Sequence, residues 1–247
     1  MADLTHRDVE YVLGETAMRG LVVAPANARA LPTVMLIHDA FGLGEDMIAI
    51  AEDLAARGLT VFAADVWGDR ATPTAQPEIG PLIGAMAGNR HEWHGRIAAA
   101  HRIASAQPEV DRGNIALLGY CFGGSSALEF IRTGGRARGV IAIHPGLDLL
   151  EDDWSEAAAS GVQAYIAVGS IDPMATREQR IRLENALTAA DLDWEIDVYS
   201  HTTHAFTSPK SQNSPHPELF AHHPRNASRA WRATTGVLDE LFQTTGV

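Results

Sequence analysis

The single cysteine of this 247-residue chain, Cys121, stands in the string Gly119-Tyr120-Cys121-Phe122-Gly123. An apolar run, Ile115 to Gly119, leads into it, and a helix-like run comes directly after. A strand that ends in Gly-x-nucleophile-x-Gly and turns straight into a helix is a nucleophile elbow. The turn is so sharp that the nucleophile is held in a strained backbone conformation, clear of strand and helix. Side chains at the flanking positions would collide, and Gly119 and Gly123 have none. The sulfur then projects at the C-terminal edge of the strand, and the N–H of Phe122 points to the same spot. That N–H opens a helix, where a thiolate and a developing oxyanion are both favoured. A lone cysteine is more commonly a small buried hydrophobe. The paired glycines and the strand-to-helix context argue against that here.

Such a nucleophile needs a base and an acid to orient it, and these come after it in the chain in the order acid, base. Asp172 lies just past the strand-like run "QAYIAVG" (163–169), and His201 and His204 lie just past "DWEIDVY" (193–199). All fall on the same strand-end rim as Cys121. A histidine there takes the thiol proton or holds the thiolate as an ion pair. Asp172 orients the imidazole and fixes its tautomer. Asp172 before Pro173 also suits a turn or a helix cap, and spacing alone leaves His201 competing with His204. The eleven histidines, His222 and His223 among them, show no metal-site spacing, so neither a metal nor a cofactor is expected.

The elements that must position these residues can be read from patterning. Strand-like runs at 33–37, 60–65, 115–119, 139–143, 163–169 and 193–199 alternate with helical patterns at 45–58, 93–107, 176–190 and 226–242. The first four runs are almost continuously apolar, as strands covered on both faces are. The first helix puts Met47, Ile50, Ala51, Leu54 and Ala55 on one stripe and stops at Gly58, and the last spaces Trp231, Leu238 and Leu241 one to two turns apart. The alternation predicts an α/β fold: a mostly parallel central sheet with helices on both faces. "VEYVLGETAMRGLVVAP" (9–25) reads as an antiparallel N-terminal edge. With no linker and no repeat, one domain over 1–247 is expected. Two Pro/Gly/Ser/His-rich segments, 66–90 and 201–225, read as long loops near the active site, because both come after strand ends, where ligands bind in open parallel sheets.

Composition narrows the function classes. A hydrophobic fraction of 46% and a charged fraction of 20% are those of an ordinary globular domain. A formal net charge of −12 argues against nucleic acid or an anionic membrane as partner. No apolar stretch approaches the roughly 20 residues that span a bilayer. The polar start "MADLTHRDVE" predicts no signal peptide, and one cysteine makes no internal disulfide, so a cytoplasmic setting is expected. Oligomeric state is not readable.

The strings "HDAFGL" (38–43), "GLTVFAADVWG" (58–68), "VDRGNIALLGYCFGG" (110–124), "GSIDPM" (169–174) and "HAFTSP" (204–209), in that order, resemble the dienelactone hydrolase family, a cysteine-using branch of the α/β-hydrolase fold. The resemblance runs from about Gly20 onward. It implies Cys121, Asp172 and His204 as the triad, which selects His204 over His201, and an oxyanion hole from the N–H groups of Phe122 and Ala40. The family carries a glutamate just before the second oxyanion residue, where it helps deprotonate the cysteine when substrate arrives. Asp39 holds that place, one methylene shorter. Dienelactone-cleaving members bind a substrate carboxylate with arginines, one shortly after the histidine. Thr207 and Ser208 stand there instead, leaving Arg70 and Arg90 as possible substitutes. Phe41, Trp67, Trp93 and Phe206 are candidates to line the pocket.

The expected chemistry is cleavage of a small-molecule ester or lactone through a thioester acyl-enzyme. A thiolate leaves a tetrahedral intermediate more readily than an alkoxide, so esters and lactones are expected over peptides. The competing reading is a non-hydrolytic ligand-binding or redox-responsive protein. The absence of a second cysteine to resolve a sulfenic acid weighs against the redox version.

Overall fold

Hydrophobic patterning sets the strands. In the computed structural model, which describes residues 3–157 and 161–243, eight strands and six α-helices make an α/β fold, mostly parallel with an antiparallel edge. Among the described residues, no helix is long and apolar enough to cross a membrane. The chain divides after Leu118 into two compact units.

In the first unit, β1 (Leu4–Leu13) and β2 (Thr16–Pro25) form the antiparallel hairpin read from the sequence. Leu13 pairs with Thr16, so the turn has two residues, and Gly14 takes its left-handed backbone, φ +57°. β2 also pairs antiparallel with β4 (Thr60–Ala64). β4 lies parallel to β3 (Leu31–Ile37), with Thr33 opposite Thr60 and Ile37 opposite Ala64. All five residues of β4 are buried, as a continuous apolar run requires. Helix α1 (Glu45–Ala55) packs on β2 and β4 through Met47, Ala51, Leu54 and Ala55; Ile50, the fifth member of the expected stripe, is only half-buried.

Contrary to expectation, the 66–90 segment is not a loop throughout. It holds α2 (Gln76–Gly88), and α3 (Arg90–Ser105) starts at its end, three residues before the predicted helix at 93–107. Pro77 sits in the first turn of α2, where a missing N–H costs nothing, and Glu78 accepts from the N–H groups of Thr74 and Ala75. Pro and Gly density conceals the helix, which takes Pro77 in its first turn and accommodates Pro81 inside it.

The second unit opens with the last two residues of β5 (Val110–Tyr120) and runs into α4 (Phe122–Arg132). Then β6 (Gly139–Ile143), β7 (Gln163–Gly169) and β8 (Asp193–Tyr199) pair in parallel. Gly139, Gln163 and Asp193 share one level, and Ile143, Ala167 and Asp197 another. The strands therefore finish together, and the loop after each lands on one rim. Helix α5 (Arg177–Ala189) packs on β8, and α6 (Pro224–Gln243) on β6 and β7. The buried stripe of α6 is Asn226, Ala230, Thr234, Leu238 and Leu241; Trp231 is only half-buried, so the stripe runs one residue away from it. The 201–225 segment is irregular but for a 3₁₀ turn at Pro209–Asn213 and the first residues of α6. It is pinned by the His204 N–H on the Leu219 carbonyl and the His223 N–H on the Phe206 carbonyl.

Candidate active site

Cys121 has φ +51° and ψ −117°, a conformation non-glycine residues rarely adopt and that costs about 1–3 kcal/mol. The surroundings enforce it. The Cys121 N–H donates to the Ile143 carbonyl at 2.9 Å, and the Cys121 carbonyl accepts from the N–H groups of Gly124 and Ser125, which starts α4. The chain folds back so tightly that a Cβ on Gly119 would lie 2.0 Å from the Gly123 carbonyl oxygen. Ser125 fixes the first turn of α4 from the other side by donating to the Gly146 carbonyl at 2.9 Å. Phe122, buried, and Gly123 precede the first intrahelical bond, so their N–H groups belong to the helix's positive end. Cys121 itself is half-buried, which leaves the thiol reachable.

An imidazole and a carboxylate line up on this sulfur. His204 Nε2 is 3.1 Å from Cys121 Sγ, and His204 Nδ1 is 2.8 Å from Asp172 Oδ2. The side chains of His204 and Asp172 are both 0% exposed, so water does not compete for these bonds. The second carboxylate oxygen of Asp172 accepts the Met174 N–H at 2.8 Å. A carboxylate only accepts, so Nδ1 must carry a proton. Burial alone would lower the pKa of His204. Charge and hydrogen bonding from Cys121 and Asp172 outweigh it and raise the pKa to about 10. The imidazole is therefore held as an imidazolium beside the Asp172 carboxylate.

The ring of His204 is walled edge-on by His144 at 5.2 Å and Phe220 at 5.8 Å between centroids. His144 is buried, and its Nε2 is 2.8 Å from Thr207 Oγ1. Burial, and then the charge on His204, push its pKa well below the usual value. One cation, not two, occupies this corner. Phe206, fully buried, packs edge-on against His144 at 5.4 Å.

The loop carrying Asp172 is clamped at both ends by Arg180, a residue that no sequence motif marks. Buried on α5, it donates Nη1 to the Ala175 carbonyl at 2.5 Å and to the Gly169 carbonyl at 3.4 Å. The loop carrying His204 crosses Gly169 so closely that a Cβ there would lie 2.1 Å from the Thr202 carbonyl oxygen. Asn226 of α6 holds that loop by donating to Thr202 Oγ1 at 2.7 Å, both residues buried. His201, the rival base, is exposed.

The remaining expected site residues lie in the first unit. Asp39 is buried, and its Oδ1 accepts the Phe41 N–H at 2.8 Å, the geometry of a loop-capping carboxylate. The Ala40 carbonyl accepts from Trp67 Nε1 at 3.2 Å, and Trp67 is buried. His38, another residue with no sequence signal of its own, has Nε2 accepting the Val66 N–H at 3.0 Å, so Nδ1 donates to the Asp39 carbonyl at 2.7 Å. That carbonyl belongs to the same peptide as the Ala40 N–H, so His38 fixes the plane of that peptide. Arg70 is occupied: it donates to Asp8 Oδ1 at 2.7 Å, to the Gly20 carbonyl at 2.8 Å and to the Arg19 carbonyl at 2.9 Å, all on the β1–β2 hairpin. Arg90 stacks on Trp93, 5.4 Å from its ring.

The family model described as the dienelactone hydrolase family matches residues 18–242. A protein of Aquifex aeolicus (strain VF5) named "Putative carboxymethylenebutenolidase" is 23% identical over 228 residues, 90% of this chain and 93% of that one. A crystal structure of a dienelactone hydrolase-like promiscuous phosphotriesterase from metagenomic libraries is 29% identical, with a TM-score of 0.90 over 98% of this chain and 100% of that chain. The structure called m3DLH is 28% identical, with a TM-score of 0.88 over 97% and 99% of the two chains. Sequence and fold converge, and the chain belongs to the dienelactone hydrolase family, hydrolases that act on ester bonds.

Proposed function

We propose that this hydrolase cleaves a small-molecule carboxylic ester or lactone through Cys121, His204 and Asp172, by way of a thioester acyl-enzyme. The observation that carries the reading is the unbroken chain of short contacts from Asp172 Oδ2 through the imidazole to Cys121 Sγ, 2.8 and 3.1 Å. The thiolate attacks the acyl carbonyl. The negative oxygen forms beside the Phe122 N–H, and the family resemblance assigns a second donor to the Ala40 N–H, with Asp39 beside it as the acid that assists thiol activation. One such donor is worth about 3 kcal/mol of barrier. His204 gives its Nε2 proton to the departing alkoxide, and the C–O bond breaks. The neutral imidazole then takes a proton from water, which adds to the thioester. Collapse releases the acid and returns the thiolate and imidazolium.

Phe206 supports this site through the wall it builds with His144. The whole chain then acts as one catalytic domain, working in the cytoplasm without a cofactor.

The test is turnover of p-nitrophenyl acetate by the native enzyme and by Cys121→Ala, with intact-mass measurement of His204→Ala after brief exposure to the ester. Loss of turnover in the first variant and accumulation of one acyl group in the second are expected. Native-level hydrolysis by Cys121→Ala would remove the sulfur from the mechanism.

A further inference from the structure

We propose that the site selects acyl donors that carry no negative charge, with Asp148 as the residue that turns carboxylate-bearing donors away. This rests on Cys121, His204 and Asp172 being the reacting centre and names the substrate class that centre accepts. Asp148 lies in a 3₁₀ turn, Leu147–Leu149, that comes after β6, on the rim where the strands end. The turn is tied to both halves of the chemistry. The Leu147 N–H donates to the Met174 carbonyl at 2.7 Å, and Met174 is the residue whose own N–H caps Asp172. The Gly146 carbonyl accepts from Ser125 Oγ, one turn into the helix behind Cys121. A Cβ on Gly146 would lie 2.9 Å from Asp148 Oδ1 and 3.6 Å from Ser125 Oγ, so the carboxylate folds back over Gly146 towards that helix. The residue is nonetheless exposed.

Asp148 has no salt-bridge partner among the described residues. Partial desolvation raises the pKa of its carboxyl group, the His204 cation lowers it and the Asp172 carboxylate raises it. An approaching substrate carboxylate therefore meets a like charge at the rim.

Three arginines of the same unit are already engaged. Arg180 gives its Nη1 to the Gly169 and Ala175 carbonyls, Arg132 is paired with Glu129 and Glu151, and Arg182 is paired with Asp152. The two positions after the base loop's Phe206 carry hydroxyls, and one of them, Thr207, is bound to His144. Two like charges roughly 10 Å apart would, at an effective dielectric near 20, lower an encounter about tenfold in dilute buffer and only a few-fold at physiological ionic strength.

The experiment uses three p-nitrophenyl esters of similar length, the butyrate, the hemisuccinate and the 4-trimethylammoniobutyrate, in dilute buffer and again with added sodium chloride. The native enzyme should prefer the butyrate and the cationic ester over the hemisuccinate by about tenfold in kcat/KM, and salt should shrink the gap. In Asp148→Asn the hemisuccinate-to-butyrate ratio should rise about tenfold and lose its salt dependence. A native enzyme that prefers the hemisuccinate, or an Asp148→Asn ratio equal to the native one, overturns the proposal. Lys210, the cation in the 3₁₀ turn Pro209–Asn213 of the His204 loop, is tested beside it: a fall in the hemisuccinate ratio in Lys210→Ala would reveal a carboxylate clamp and would also overturn it. Cys121→Ala on the butyrate separates the two levels, because turnover surviving in that variant refutes the reacting centre rather than the charge selection.

Discussion

Replacing Asp172 by Asn removes a charge without removing bulk. Asp172 Oδ1 accepts the Met174 N–H, which an amide oxygen can still do. The amide nitrogen then faces His204 Nδ1 at about the 2.8 Å now spanned by the carboxylate. It can only donate, so Nδ1 must become an acceptor and the sole ring proton must sit on Nε2, against the sulfur. That imidazole cannot act as the general acid, because giving up its only proton would leave an imidazolate, and with Nε2 already protonated it cannot take a proton from water. In serine triads the same exchange costs about 10⁴ in kcat; a preformed thiolate needs less help in the first step, so about 10²–10⁴ is expected here. The pH profile should move as well. His204 is raised to about 10 against its own burial by Cys121 and Asp172, and removing the Asp172 charge lets burial reassert itself. A charge partner is worth about 1–3 pKa units, so the alkaline limit of kcat/KM should fall by that much.

The assay is a pH–rate profile on a lactone or alkyl ester, whose leaving group needs the proton, beside a p-nitrophenyl ester, whose leaving group does not. The native enzyme should lose lactone activity as pH rises through about 10, with a weaker fall on the activated ester. Stability has the same sign. A histidine whose folded pKa is raised contributes fully below its unfolded value of about 6.5 and loses that contribution as pH rises through about 10. The stability gap between native and Asp172→Asn should thus be widest near pH 6 and close towards pH 10. A variant with native turnover and an unmoved alkaline limit would refute the imidazolium argument outright.

Two further changes test the framework. Gly119→Ala would set a methyl 2.0 Å from the Gly123 carbonyl oxygen, and no side chain can yield there because the obstacle is backbone. The elbow must open, so esterase activity should be lost and the melting temperature should fall; a folded, fully active variant would disprove the close approach. Arg132→Ala would leave Glu129, 1% exposed on the same helix, without its two guanidinium bonds. The cost should be about 3 kcal/mol, or some 5–10 °C in a calorimetric melt for a chain of this size, with KM for the ester unchanged.

What could be read from the chain was whatever a short string encodes. "GYCFGG" specifies an elbow because the turn admits only glycine beside the nucleophile, and the 2.0 Å approach at Gly119 is that requirement in atoms. Parallel strands of buried residues were legible for the same reason: β4 and β6 have no exposed face to break the apolar run. Their common finishing level then put Asp172 and His204 within reach of one sulfur, which strand-end position alone could suggest but not measure. Helix α2 escaped because Pro77 marks a helix start as readily as a loop, and Pro81, a helix breaker by type, is tolerated inside it.

The residues that escaped altogether act through main-chain groups, which no side-chain pattern reports. Arg180 clamps carbonyls, His38 fixes a peptide plane, and Asn226 reaches a hydroxyl from a distant helix. Asp148 is the sharpest case. In the sequence it is one acid among 31 acidic residues, and net charge suggests only solubility. Its proposed role arises from a 3₁₀ turn tethered to Met174 and Ser125. On that proposal specificity is written in where the loops after the strands are tied, while reactivity is written in the strings themselves. The proposed triad and the proposed substrate preference could then change independently, and a family name would predict the first better than the second.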